Sequence, residues 1–286
     1  VRPKVLTAVP VAYTRAGEVD LDASRQIVAF VADHARDDAF VLGTTAEFVA
    51  LSRAERRDLA GLSLEILGPD RTIVHVGAAS ARDVRALIAD ARELGARRVA
   101  VLTPYYVALT DELVVDFYRD VLAAAEGLPV YAYLFSARTG YTMSPAVLAR
   151  LAELGVVGAK VSGQPIEVVG AYRPAVPEGF ELLTGTDAHL AVVRDHGVAG
   201  VVSGVASAFP EPFRLLADAV EAQDLAAIDD AQSRVDDVVG LIRGNVARIK
   251  EVLRIRGIDA GYCRVPFEEP SPDVVAELRR AVAAYS

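Results

Sequence analysis

Tryptophan is absent from this chain, and cysteine and methionine occur once each. The lone Cys263 excludes an intrachain disulfide framework and points to a reducing compartment, so a cytoplasmic protein is expected. Histidine is almost as scarce. His34, His75, His189 and His196 are scattered without ligand spacing, so no histidine-based metal site is expected. No apolar run reaches membrane-spanning length, and Val1-Arg2-Pro3-Lys4 leads straight into a strand-like stretch. The chain therefore reads as soluble, with no targeting segment and no membrane partner. Positive charge is in deficit, 30 Lys+Arg against 39 Asp+Glu, and the net charge of −9 argues against a nucleic-acid partner. Lysine is the rarest charged residue: Lys4, Lys160 and Lys250 stand among 27 arginines.

What is present is apolar and periodic. A length of 286 residues exceeds an ordinary domain but suits a single α/β barrel. A hydrophobic fraction of 52% and a mean hydropathy of +0.30 can fill a large core. Strand-like runs occupy 5–10, 39–43, 72–77, 98–103, 129–135, 156–161, 181–185 and 199–204. Helical periodicity fills 21–34, 53–67, 81–94, 110–125 and 144–154, with Ser52, Ser80, Thr110 and Ser144 as N-caps and a loose capping box at 80–83. Strands that are continuously apolar belong to parallel sheets covered by helices. Eight such units predict an α/β fold, a (β/α)8 TIM barrel. The rival, a doubly wound open sheet, usually has fewer strands, and no early Gly-x-Gly-x-x-Gly turn is present. Beyond the eighth strand the pattern turns helical at 213–222, 225–256 and 271–285. The expected division is a barrel at 1–222 and a C-terminal helical extension at 223–286.

One lysine interrupts this apolar pattern. Val156-Val157-Gly158-Ala159-Lys160-Val161 has strand length, and Lys160 lies near its end. Two readings stand for it: an amine snorkelling from a strand end to solvent, or a buried amine made nucleophilic by desolvation, as Schiff-base chemistry requires. In a barrel, chemistry gathers at the C-terminal ends of strands. Those ends hold Gly43-Thr44-Thr45-Ala46-Glu47, Thr103-Pro104-Tyr105-Tyr106, and the stretch from Tyr133 to Arg138-Thr139-Gly140. An amine, several hydroxyls and a guanidinium thus map to one rim.

These residues resemble the dihydrodipicolinate synthase / N-acetylneuraminate lyase family of pyruvate-dependent class I aldolases, over nearly the whole chain and in order. The 43–47 loop is similar to the family's Gly-Thr-Thr-Gly-Glu, and Thr103-Pro104-Tyr105-Tyr106 to its Thr-Pro-Tyr-Tyr. The stretch from Tyr133 to Gly140 resembles Tyr-Asn-x-Pro-x-Arg-Thr-Gly. Val157-Gly158-Ala159-Lys160 resembles the Schiff-base strand, and Leu183-Thr184-Gly185-Thr186-Asp187 the turn that follows it. The resemblance implies Lys160 as nucleophile and Tyr133 as proton carrier. It implies Thr44 and Thr45 as carboxylate ligands, Thr45 also serving the relay. Arg138 would meet the second substrate's carboxylate, and Gly185 and Val202 would line the pyruvate end. Tyr106 would reach into a neighbouring subunit's site, so a homodimer or homotetramer is implied. No cofactor is expected; the partners are small molecules, pyruvate with an aldehyde, or a 2-oxo acid.

The chain also departs from the family pattern. Ala46, Val107, Leu134, Ser136 and Val161 replace the usual glycine, asparagine, asparagine, proline and acidic residue. The pyruvate machinery is intact, while the surroundings that select the second substrate have changed. A synthase joining pyruvate to aspartate semialdehyde is the leading expectation, with lysine biosynthesis as its setting. The alternatives are an aldolase or dehydratase acting on 2-keto-3-deoxy sugar acids, and a barrel that binds a 2-oxo acid without turnover.

Overall fold

Eight parallel strands close into a barrel in sequence order in the computed structural model, which describes residues 2–285. The outermost ends of the two expected units, Val1 and Ser286, lie outside the described residues. The strands are β1 (Lys4–Ala8), β2 (Ala39–Val41), β3 (Thr72–His75), β4 (Val99–Leu102), β5 (Val130–Leu134), β6 (Gly158–Val161), β7 (Glu181–Thr184) and β8 (Gly200–Ser203). Closure runs from Lys4 opposite Gly200 to Thr7 opposite Ser203. Glycine is required at that seam, because a Cβ on Gly200 would lie 2.1 Å from the Lys4 carbonyl oxygen.

All the strands but β6 stop pairing earlier than their apolar runs suggest. Residues such as 42–43, 77, 135 and 204 leave the sheet at its C-terminal end and form the rim, while Val76 and Thr103 still donate to the Ala100 and Tyr133 carbonyls. The helices are α1 (Leu21–His34), α2 (Arg53–Leu67), α3 (Ala81–Glu93), α4 (Asp111–Ala125), α5 (Ser136–Thr139), α6 (Pro145–Leu154), α7 (Ile166–Gly170), α8 (Pro210–Ala222), α9 (Leu225–Ile242), α10 (Val246–Ile255) and α11 (Pro272–Tyr285). The anticipated N-caps bond as expected, Thr110 to the Leu113 N–H and Ser144 to the Val147 N–H. The reciprocal capping box, however, forms at Ser52 with Glu55. Ser80 caps through the Asp83 N–H, and its hydroxyl binds the Asp83 carboxylate.

Two stretches differ from the periodicity. The helix expected over 225–256 is broken, since Arg243 and Gly244 take positive φ of 52° and 67° and Asn245 caps a new helix. The residues between β7 and β8 form only short 3-10 turns, Asp187–His189 and Val193–His196. Side chains pointing into the barrel make one apolar cluster, with Leu6, Phe40, Leu102, Tyr133 and Val202 among them. A larger layer lies between sheet and helices, and it takes in Val238 of α9, Leu253 of α10 and Leu278 of α11. The extension thus shares the barrel's core. No helix of the described residues is long and apolar enough to cross a membrane.

Candidate active site

β5 and β6 pair so that Tyr133 stands opposite Lys160. Both side chains turn into the barrel near its C-terminal end, Lys160 only 5% and Tyr133 only 1% exposed. The Lys160 Nζ lies 4.3 Å from the ring centroids of both Tyr133 and Phe40. The other two lysines are spoken for: Lys4 pairs with Glu181 at the barrel's lower edge, and buried Lys250 pairs with Glu47 at 2.8 Å. Lys160 therefore differs from its counterparts in kind. It is an amine held between aromatic faces, without a carboxylate in ion-pairing range among the described residues.

The loop after β2 brings the hydroxyls. Thr44 Oγ1 lies 3.1 Å from the Tyr133 phenol oxygen, which ties the loop to the proton-bearing group. Thr45 does not make that bond; its Oγ1 lies 3.0 Å from where a Cβ on Gly204 would stand, past the end of β8. The hydrogen-bonded partner of Tyr133 is thus Thr44. Backbone strain accompanies this loop: Leu42 and Glu47 have φ of 61° and 57°, a region that non-glycine side chains rarely enter. Glu47 is held there by its carboxylate, which accepts from Lys250 and from the N–H groups of Arg264 and Val265 at 2.7 and 2.6 Å.

Gly185 and Val202 complete the inner end. The Gly185 N–H donates to the Val161 carbonyl at 2.7 Å, and a Cβ there would come within 2.1 Å of Ser162 Oγ. No side chain fits at 185 while Ser162 closes on it. Val202 is buried inside the barrel on β8. Arg138 sits on α5 at the outer end, its guanidinium 5.8 Å from the Phe135 ring centre, and borders a cavity of 330 Å³ that Thr44 also lines. Tyr106 is the outlier. It is 96% exposed with φ of 78°, so it contributes nothing to its own chain's site.

Two further residues belong to this neighbourhood. His75 is fully buried on β3, its ring 5.8 Å from that of Tyr133. Burial, then Arg56 and Lys160, push its pKa well below the ordinary histidine value, so the ring is neutral at pH 7. Its Nδ1 donates to the Leu42 carbonyl at 2.9 Å, and Nε2 has no partner. Asp187 follows β7, and desolvation raises its pKa to about 6, against the opposing pull of Ser203 and Lys160. Its Oδ1 is buried without a partner. Neither residue is a sequence-level candidate for the site, although Asp187 stands two residues past Gly185, at a strand end where chemistry gathers. Among the described residues, no group of three or more His, Cys, Asp or Glu could hold a metal ion.

A profile of the dihydrodipicolinate synthetase family matches residues 2–285. The chain belongs to this family. Over 283 residues it is 35% identical to an uncharacterised DapA-like lyase of Halobacterium salinarum, covering 98% of this chain and 92% of that protein. It is 30% identical over 257 residues to the 4-hydroxy-tetrahydrodipicolinate synthase of Methylococcus capsulatus, covering 88% and 87%. Among solved structures, the Ruminococcus gnavus sialic acid aldolase superposes with a TM-score of 0.93 at 19% identity, covering 99% and 98% of the two chains. That last likeness concerns the fold. Members of the dihydrodipicolinate synthetase family are lyases, so the Lys160 rim is the place to seek a lyase site.

Proposed function

We propose that the protein is a pyruvate-dependent class I aldolase or synthase that works through a Schiff base on Lys160. The carrying observation is the Tyr133–Lys160 pair: among the described residues Lys160 is the one buried lysine without an ion-pair partner, and it lies beside a phenol hydrogen-bonded to Thr44. Nζ adds to the ketone carbon of pyruvate, water leaves, and an iminium forms. The iminium acidifies the pyruvate methyl group, whose lost proton gives an enamine. The enamine carbon bonds to an aldehyde carbon while the aldehyde oxygen takes a proton. Water then hydrolyses the iminium and restores Lys160. Run in reverse, the same steps cleave a 2-oxo acid. Tyr133 is placed to carry protons to and from the carbinolamine oxygen, with Thr44 fixing its hydroxyl.

Arg138 supports a second substrate that bears a carboxylate, because a guanidinium binds one in a two-point geometry. Aspartate semialdehyde, the partner that a 4-hydroxy-tetrahydrodipicolinate synthase condenses with pyruvate, has such a group. Asp187 favours the other reading: a carboxyl near the amine with one buried oxygen, Oδ1, left without a partner suits the hydroxyls of a 2-keto-3-deoxy sugar acid. The exposed Tyr106 suits a site shared between two copies of the chain, and the free Cys263 suits the cytoplasm. Borohydride reduction with pyruvate tests the chemistry: the reduced adduct should add its mass to the Lys160 peptide. A Lys160→Ala protein that still trapped pyruvate would end the assignment.

A further inference from the structure

Part of the wall of the cavity that Arg138 borders comes from the C-terminal extension, not from the barrel. Val265 and Phe267 line the 330 Å³ space together with Phe48, Leu102 and Phe135. They belong to a segment, 262–268, that is fastened at several points. Lys250 takes the Tyr262 carbonyl at 2.6 Å, Glu47 takes the Arg264 and Val265 N–H groups, and Asn245 takes the Glu268 carbonyl at 2.8 Å. The Arg264 guanidinium adds a bidentate bond to Glu55, at 2.7 and 3.0 Å. So fixed, the segment is a preformed wall and its side chains have a set position.

The chemistry of this space is lopsided. Arg138 offers one cation, with no carboxylate partner among the described residues, while most of the lining is aromatic or aliphatic. Glu47 is the one acid bordering it, and both of its oxygens are already bonded. An ammonium group entering here would lose water, meet apolar walls and feel the charge of Arg138, with no anion to receive it. A chain of hydroxyls would meet the same walls. A carboxylate at one end and hydrocarbon behind it would match Arg138 and the apolar walls that make up most of the lining.

We propose that the second substrate is a carboxylate-bearing aldehyde with an alkyl or aryl body, and that Phe267 is a specificity-determining residue for it. This rests on the Schiff-base reading of Lys160 and narrows it. Succinic semialdehyde and aspartate semialdehyde make a matched pair, since both have the same length and carboxylate and differ by one ammonium group. The discriminating measurement is kcat/KM for each with pyruvate, beside D-glyceraldehyde as a hydroxylated aldehyde, in parallel with borohydride trapping by pyruvate alone.

Succinic semialdehyde should lead aspartate semialdehyde and glyceraldehyde by about tenfold or more, the scale on which apolar pockets discriminate. Phe267→Leu should keep the order. Phe267→Asp, which supplies the missing anion, should reverse the first pair, with trapping by pyruvate unchanged in both variants. Preference for aspartate semialdehyde or glyceraldehyde in the parent protein overturns the proposal, as does an order indifferent to Phe267→Asp while trapping persists. Absence of trapping in the parent protein instead brings down the Schiff-base reading, and this inference with it.

Discussion

Lys160 and Tyr133 are neighbours across the β5–β6 pairing, the amine nitrogen 4.3 Å from the centre of the phenol ring. The phenol oxygen is in turn 3.1 Å from Thr44, so the hydroxyl beside the amine has a fixed hydrogen-bond partner. Tyr133→Phe keeps the ring and removes the hydroxyl. Turnover should fall on the order of 100-fold or more while pyruvate affinity changes little. Thr44→Val should give a smaller drop of the same kind. Steady-state kinetics set against pyruvate binding by calorimetry separate these outcomes; equal turnover in Tyr133→Phe and the parent protein would remove Tyr133 from the mechanism.

Arg138 should matter for the second substrate alone. Arg138→Ala should leave borohydride trapping with pyruvate intact and raise KM for a carboxylate-bearing aldehyde. The loss in kcat/KM should correspond to roughly 1.5–3 kcal/mol, the scale of a hydrogen bond to a charged group. A variant that loses pyruvate trapping along with it would place Arg138 elsewhere in the reaction.

The Glu47–Lys250 pair is almost wholly buried, its side chains 0% and 1% exposed. Lys250→Met leaves the Glu47 carboxylate buried without its cation and should destabilise the protein by about 3–5 kcal/mol in urea unfolding followed by circular dichroism. Adding Glu47→Gln should recover part of that loss, because the stranded charge is then gone. A double variant less stable than the sum of the two single ones would contradict this.

Asp187 gives a pH signature. Its carboxyl keeps a proton up to about pH 6 in the folded chain, against an ordinary value of 3.8. Between those values the folded state binds the extra proton. The stability from this group is therefore full below about pH 3.8 and is lost as pH rises through about 6. Asp187→Asn carries no such loss, so the difference in Tm, variant minus parent, should grow over that window and then level off. Glu55 has the opposite sign. Its bond to Arg264 lowers it to about 2, so its contribution is present above the ordinary value of 4.5 and fades as pH falls through about 2. Glu55 is common to both proteins and cancels in the difference.

Tyr106 predicts an assembly. A tyrosine that is 96% exposed and strained at φ 78° has little reason to persist on a free surface. Light scattering should report a dimer or larger particle at micromolar concentration, and Tyr106→Ser should weaken it. A fully active particle with the mass of one chain would refute a shared site.

Much of the barrel was legible because its strands are buried on both faces and so read as unbroken apolar runs. Every expected strand overlaps an observed one, and helices such as Leu21–His34 and Arg53–Leu67 have the boundaries that periodicity gives. The break at Arg243–Gly244 was missed because the apolar spacing continues across it; only Gly244 and the capping Asn245 betray the stop. Lys160, Tyr133, Thr44 and Arg138 could be collected as strand-end residues. Asp187 closes a strand-end turn but does not stand out there, and His75 lies within its strand; what marks both is burial and neighbours distant in sequence. The wall formed by Val265 and Phe267 was hidden for the same reason: its anchor, Glu47, lies more than 200 residues away.

That wall is gripped by peptide groups and by side chains other than those that line the pocket. Tyr262 and Glu268 contribute carbonyls, and Arg264 and Val265 N–H groups. The Arg264 guanidinium bonds Gly17, Ala50 and Glu55, and the Tyr262 hydroxyl accepts from Arg15, while the apolar side chains of Val265 and Phe267 make no such bond. Position and identity are thereby separated. Substitutions at 265 or 267 should therefore change the lining of the cavity without dislodging its frame, so selection, natural or in a laboratory library, can vary that surface one codon at a time.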